Sequence, residues 1–259
     1  MRVAPSWRER ALVLHGDAGN VVVVGDVHVG LEQELARRGV QVPDQTPHMR
    51  ARIQALLRAH NADRLIVLGD LKETIGRSSS ADIARLRALV RGLDARVDLV
   101  PGNHDADLEW LGVEGVQMHP ATGLKIEDVA LTHGHVWPDA AIMGARVLVT
   151  SHNHPMLGLR DELGKLHKEP CWVRGPFQRA ARERYPSLPR GAQFIIMPAF
   201  NELLGGHAIN APLKEGEGLG PLLRNQLFDL DRARIWTLDG IEMGTVKSLR
   251  PPAAKAGPA

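Results

Sequence analysis

Asn20-Val21-Val22-Val23-Val24-Gly25-Asp26-Val27-His28 is the stretch whose reading decides the fold. Its run of β-branched residues reads as a strand, and Gly25 ends that strand so that Asp26 and His28 stand at its carboxyl end. Upstream, Ala11 to Leu14 is a second β-rich run. Gly16, Asp17 and Gly19 separate the two, which predicts a hairpin. Downstream the punctuation recurs. Leu31 to Arg38 is helical in composition and stops at Gly39, and Pro47 to His60 sets Met49, Ile53, Leu56 and Leu57 on one helical face. Arg64 to Leu68 is the next strand, ending at Gly69-Asp70. A Ser-rich N-cap region follows, then a helix marked by Ile83, Leu86, Leu89 and Val90. Val97 to Val100 is a strand that ends at Pro101-Gly102-Asn103-His104. Strands alternating with helices, with polar residues at each strand's carboxyl end, predict an α/β sheet whose site forms just beyond those ends.

Past Gly115 the pattern changes. Gly123 to Thr132 reads as a strand hairpin and Arg146 to Thr150 as a buried strand, and short strands dominate from Gln193 to Val246, which implies a second sheet. Gly158 to Arg190 is the least regular stretch, with a hairpin expected at Gly164 and a helix around Phe177 to Arg184.

The chain has 259 residues, 44% apolar and 24% charged, which suits a folded globular protein and argues against disorder. Its single cysteine, Cys171, excludes an internal disulfide and reads as a small core side chain. A formal net charge of +2 does not select a partner. Met1 to Arg10 carries neither a signal-peptide apolar region nor a transit-peptide pattern, and no apolar run approaches the roughly 18 residues of a membrane span, so the expected location is the cytoplasm, with no membrane partner.

Five short clusters carry the chemistry: Asp26-Val27-His28, Gly69-Asp70, Gly102-Asn103-His104-Asp105, His133-Gly134-His135 and His152-Asn153-His154. Each alone is a weak signal, and twelve histidines make some coincidence certain. Together they form an ordered set of oxygen and nitrogen donors without thiolate, each placed after an expected strand. Such donors suit Mn, Fe, Zn or Co and do not choose between them.

In that order the clusters resemble the calcineurin-like metallophosphoesterases, whose motifs run D-x-H, G-D, G-N-H-D or E, H-G and G-H-x-H. The resemblance spans Asp26 to His154. It implies an α/β fold, a four-layer αββα sandwich of two mixed β-sheets flanked by helices. Residues 1–250 would form one domain with a family-specific insertion at about 158–190, followed by a flexible Pro- and Ala-rich tail at 251–259. Two divalent metal ions per chain are implied. Asp26, His28 and His154 would hold one, Asn103, His133 and His152 the other, and Asp70 would bridge them and offset their repulsion. His104 would protonate the leaving oxygen, and Asp105 would orient a neighbouring histidine. His135 reads equally as a substrate contact or as a hydrogen-bonded loop histidine.

The chain also resembles the SbcD-related phosphoesterases of archaea and bacteria. The resemblance rests on D-V-H-V-G-L-E from Asp26, R-R-G-V-Q-V-P at Arg37 to Pro43, and the later P-A-F-N-E and G-G-H-A-I-N. That family acts in DNA processing, commonly with manganese. The resemblance implies a Mn-dependent phosphodiesterase with nuclease activity on single-stranded DNA in DNA repair, with Fe, Zn, Co or Ni as other metals and a homodimer as a frequent state among relatives. A small-molecule phosphodiesterase and a non-catalytic scaffold remain the alternatives. Two departures stand out. Ser151 occupies the usual Gly of the last motif, and Lys72-Glu73 stands where repair nucleases have a hydrophobic residue and Asp, so that the Asp's supporting role would fall to Glu73 or be absent.

Gly158 to Arg190 is rich in Arg and Lys, with Trp172, Phe177 and Tyr185 interleaved. Basic side chains beside rings suit a single strand of nucleic acid, and Arg179, Arg182 and Arg184 are the expected substrate contacts. A solvated helix face with core aromatics is the other reading of the same residues.

Overall fold

The computed structural model describes residues 1–211 and 219–250; the tail expected at 251–259 lies outside the described residues. The first sheet contains β1 (Arg2–Ser6), β2 (Ala11–Gly16), β3 (Gly19–Val24), β4 (Ala62–Leu68), β5 (Arg96–Val100) and β6 (Val116–Met118), hydrogen-bonded in that order. β1, β2 and β3 pair antiparallel, and β3 to β6 pair parallel. Helices α1 (Leu31–Arg37), α2 (Thr46–Ala59), α3 (Ser80–Val90) and α4 (Leu108–Leu111) fall in the connections between its parallel strands. Ser79 caps α3 in a full capping box with Asp82.

The second sheet contains β7 (Leu124–Ile126), β8 (Val129–Thr132), β9 (Val147–Thr150), β10 (Pro155–Arg160), β11 (Leu166–Pro176), β12 (Gln193–Ile196) and β13 (His207–Ala208). Its order is β13-β10-β11-β12-β9-β8-β7, and β14 (Arg234–Thr237) and β15 (Glu242–Thr245) extend from β11. β8, β9 and β12 run parallel, whereas β7/β8, β10/β11, β11/β12 and β11/β14 are antiparallel, so both sheets are mixed. The remaining helices are α5 (Arg179–Arg184) and α6 (Gly220–Arg224). No helix among the described residues is long and apolar enough to cross a membrane.

Side-chain alternation along the central strands produces the four layers. Val22, Val24, Leu65 and Val67 face outward against Met49, Ile53, Leu56 and Leu57 of α2 and Leu86 and Leu89 of α3. The alternate residues Val21, Val23, Ile66 and Leu68 face inward and meet Val129, Leu131, Val149, Ile195 and Trp172 of the second sheet. The far side of that sheet presents Leu148, Cys171, Val173, Phe194 and Ile196 to Ala181 of α5 and Leu222 and Leu223 of α6. Each fully buried aliphatic side chain contributes about 1.5–3 kcal/mol, so three such layers supply most of the driving force for folding. The chain therefore folds as the αββα sandwich of two mixed sheets.

The packing also fixes where the site lies. Leu68 is in register with Val100, and Thr132 with Thr150, so β4, β5, β8 and β9 end together. The loops after β3, β4, β5, β8 and β9 carry the five sequence clusters. Bonds from Asp26 N to Gly69 O and from Ser151 N to His133 O lace these loops together.

One segment departs from the sequence reading, and the least regular stretch resolves much as expected. Arg2–Ser6 is an edge strand despite its weak apolar pattern, because its residues are only half-buried and pairing with β2 does not demand alternation. The Met1 amine beyond it lies 3.2 Å from Glu127 and 3.3 Å from Asp128. Residues 158–190 hold the expected hairpin at Gly164, between β10 and β11, and the expected helix, α5; β11 also pairs with β12 and β14 through its second half.

Candidate metal centre

Strain marks the loops that carry the clusters. Among the described residues, nine non-glycine residues adopt positive φ, and five of these are Asp26 (55°), His28 (45°), Asp70 (48°), His152 (65°) and His154 (38°). Such conformations cost on the order of 1–3 kcal/mol each and persist only where their surroundings enforce them. Two glycines make the close approach possible. A Cβ on Gly102 would overlap the Asp70 carboxylate, and one on Gly69 would overlap the His133 ring.

Asp26, His28 and His154 offer ligand atoms within 4.8 Å of one another, as do Asp70, His133 and His152. Asp70 links the two groups: its Oδ2 lies 3.4 Å from both His28 Nε2 and His133 Nε2, and its Oδ1 accepts the His104 backbone N–H at 3.0 Å. Asn103 Oδ1 is 3.3 Å from His133 Nε2. All seven residues expected to bind metal thus converge.

Three of the histidines are oriented in the same way. His28 donates from Nδ1 to Glu73 Oε2 at 2.7 Å, His154 from Nδ1 to Gly205 O at 3.3 Å, and His133 from Nδ1 to Leu68 O at 3.1 Å and Ser151 Oγ at 3.0 Å. With Nδ1 tethered, each Nε2 lone pair points into the centre. His28 Nε2 and His154 Nε2 are buried without a hydrogen-bond partner, although His154 Nε2 lies 3.2 Å from Asp26 Oδ1. Buried orphan nitrogens facing buried carboxylates leave a cation as the missing partner.

The electrostatics agree. Burial works against a charged His28 ring, yet the facing Asp70 and Glu73 outweigh it and raise the pKa to about 10. Burial likewise opposes ionisation of Asp70, but the facing His133 and His28 rings hold its carboxyl far below the ordinary range. His152 moves the other way: burial and then the neighbouring His133 charge lower its pKa to about 3, so it stays neutral with a lone pair available. The carboxylates demand positive charge, and the donor set is nitrogen and oxygen only. Such residues fit divalent cations.

His104 and His135 flank these groups. His104 donates from Nδ1 to Glu73 O at 2.5 Å, which directs Nε2 toward the centre, 3.9 Å from Asp70 Oδ2. The His135 ring centroid lies 5.2 Å from that of His133, and burial followed by the His133 charge lowers its pKa to about 4. Its Nδ1 is buried without a partner, so the hydrogen-bonded loop reading does not describe that atom.

The structure corrects one expectation and selects one of two readings for the aromatics of residues 158–190. Asp105 orients no histidine: its fully buried carboxylate accepts the backbone N–H groups of Leu71, Lys72 and Gly102, stapling the loop after β5 to the loop after β4. Arg179 pairs with Glu183, and Arg184 lies 3.4 Å over the Trp137 ring. Trp172, Phe177 and Tyr185 are buried in the cores, because β11 and α5 use them to pack the second sheet, and they offer no face to a base.

Sequence reasoning missed two features. Ser151 is built into the support of His133, since its hydroxyl donates to Leu68 O while accepting from His133 Nδ1. A groove of about 510 Å³ opens beside His104 and Glu73, with Arg37, Arg38, Arg77 and the exposed Ile75 among its lining residues. The Arg37-Arg38 pair lies in a motif read only as a resemblance, and no sequence signal ties Arg77 to it.

Residues 19–180 match the calcineurin-like phosphoesterase family. The chain belongs to that family. It is accordingly a metal-dependent phosphoesterase, a hydrolase of phosphoester bonds. Among solved structures it is similar to the Pseudomonas putida nuclease MPE, with 22% identity and a TM-score of 0.56 over 89% of this chain and 90% of that one. At that identity the likeness concerns the fold. No curated protein matches the sequence.

Proposed function

We propose that this phosphoesterase is a phosphodiesterase of the SbcD-related kind, cutting single-stranded DNA in repair in the cytoplasm with two divalent cations, manganese foremost. The observation that carries the reading is the inward Nε2 array of His28, His133 and His154 around Asp26 and Asp70. Asp26, His28 and His154 would hold one cation, Asn103, His133 and His152 the other, with Asp70 between. When bound, such a pair acidifies a water and offsets charge on the phosphoryl oxygens. The chain's own residues do the rest. His104, fixed through Nδ1, presents Nε2 for proton donation to the leaving oxygen.

The groove beside His104 replaces α5 as the proposed substrate path. His104 and Glu73 line it, and Arg37, Arg38 and Arg77 suit a second phosphate of a strand. Glu34 accepts from both Arg37 and Arg38, while Arg77 has no ion pair among the described residues. A specific observation favours a second reading, a small nucleotide-type diester as substrate: the aromatics expected to stack on bases are buried.

The deciding experiment supplies manganese to metal-stripped protein and measures cleavage of circular single-stranded DNA and of bis(4-nitrophenyl) phosphate, with Asp70→Ala as control. Cutting of both, abolished in the variant, supports the nuclease. Diester hydrolysis with intact circles supports the small-molecule enzyme, and inactivity on both with every divalent metal overturns the catalytic reading.

A further inference from the structure

Lys72 is a lysine buried to 1% exposure, directly after the Asp70-Leu71 turn. Its ammonium lies 3.0 Å from Asp107 Oδ1, itself a buried carboxylate, and donates to Thr74 O and to Gly76 O at 3.1 Å. Asp107 Oδ2 accepts the Ser78 backbone N–H at 2.5 Å. One buried ion pair thus closes the loop from Glu73 to Ser78 onto the segment that follows His104-Asp105. Burying such a pair is poorly repaid in stability compared with apolar side chains, so its presence calls for another account.

The loop it closes begins with the residue that touches two site histidines. Glu73 accepts from His28 Nδ1 through its carboxylate and from His104 Nδ1 through its backbone carbonyl. The same loop forms a wall of the groove, through Glu73, Thr74, Ile75 and Arg77. We infer that Lys72 and Asp107 are positioning residues: their buried ion pair fixes the Glu73 backbone so that His104 Nε2 stays aimed at the leaving oxygen. This rests on the phosphodiesterase reading and on His104 as its proton donor.

The test compares the 4-nitrophenyl and phenyl esters of thymidine 5′-monophosphate. Nitrophenolate leaves without a proton, whereas phenolate, the poorer leaving group, needs one more. With manganese supplied, Lys72→Met is expected to lose kcat on the phenyl ester about tenfold or more beyond its loss on the nitrophenyl ester, with KM little changed. Asp107→Asn, which keeps side-chain shape and an acceptor for Ser78, provides a milder variant and is expected to show the same bias. Equal loss on both esters in a folded Asp107→Asn protein, accompanied only by a lower Tm, overturns the inference. A parent enzyme that hydrolyses neither ester removes the phosphodiesterase reading and the inference with it, and a parent active on both with unbiased variants removes the inference alone.

Discussion

His28 Nδ1 stands 2.7 Å from Glu73 Oε2, so the motif that opens the metal constellation is completed by a side chain 45 positions downstream. The carboxylate keeps the proton on Nδ1 and leaves Nε2 free to bind metal. Glu73→Ala is expected to weaken metal binding about 10- to 100-fold, the usual cost of removing a ligand's supporting carboxylate. Glu73→Gln, which can still accept a hydrogen bond, should fall between variant and parent. Titration of metal-stripped protein with Mn2+ and elemental analysis of the product measure both. Unchanged occupancy in Glu73→Ala would show that His28 needs no such partner.

The convergence of the candidate ligands was legible in the sequence and their supports were not, for a physical reason. A parallel strand delivers its next residues to one edge of the sheet wherever it sits, so Asp26, Asp70, Asn103, His133 and His152 could be assigned to a common edge from strand ends alone. The alternation of Val21 to Val24 and Leu65 to Leu68 likewise encoded two packed faces. Supports arise from contacts between distant loops. Lys72 meets Asp107 only because two loops fold toward each other, and Asp105, expected beside a histidine, turns instead to backbone N–H groups that the fold brings within reach. Trp172 and Tyr185 had two readings, base platforms or core residues, and the second sheet buries them.

Ser151 supplies a second test at the centre. In Ser151→Gly the His133 Nδ1–H keeps Leu68 O as acceptor and loses the hydroxyl. The hydroxyl's own bond to Leu68 O is lost as well, so the expected loss of stability is about 1–3 kcal/mol, the net worth of two buried hydrogen bonds, increased by the flexibility of Gly. Denaturant unfolding of the metal-free protein measures it. A more stable variant would mean that the hydroxyl is strained against the backbone of Gly25 and Leu68.

Asp98 is a buried carboxylate that contributes to the acid limit of the fold. Fully buried in β5, it accepts from Arg64 at 2.8 Å, Arg96 at 2.8 Å and His119 at 2.5 Å. Burial raises its pKa, but the Arg64 and His119 hydrogen bonds outweigh that and hold it below the usual carboxylate value. A depressed folded-state pKa contributes stability that is complete above the unfolded pKa of about 4 and drains away as pH falls through the folded value. Asp98→Asn should therefore cost about 1–3 kcal/mol at pH 7, the worth of its hydrogen bonds to charged partners that remain partly solvated, and flatten the fall in stability below pH 4. Chemical denaturation from pH 3 to 8 checks both the size and the slope.

Arg184 lies over Trp137 and Arg179 pairs with Glu183, so these two α5 cations already have partners within the chain. Arg77 lines the groove beside His104 without an ion pair among the described residues. If a strand of DNA follows that groove, neutralising Arg77 removes a phosphate contact, whereas neutralising α5 removes none. Arg77→Ala is expected to weaken oligonucleotide binding several-fold and to reduce the slope of log K against log salt by about one. The triple variant Arg179→Ala, Arg182→Ala, Arg184→Ala should leave that slope unchanged while lowering Tm, because Arg184 loses its stacking on Trp137. Fluorescence anisotropy with a labelled single-stranded oligonucleotide, in Ca2+ in place of Mn2+ to suppress cleavage, reads both slopes. The opposite ranking, with the α5 triple variant losing the salt dependence and Arg77→Ala keeping it, would return the substrate path to α5 and leave the groove without a nucleic-acid role.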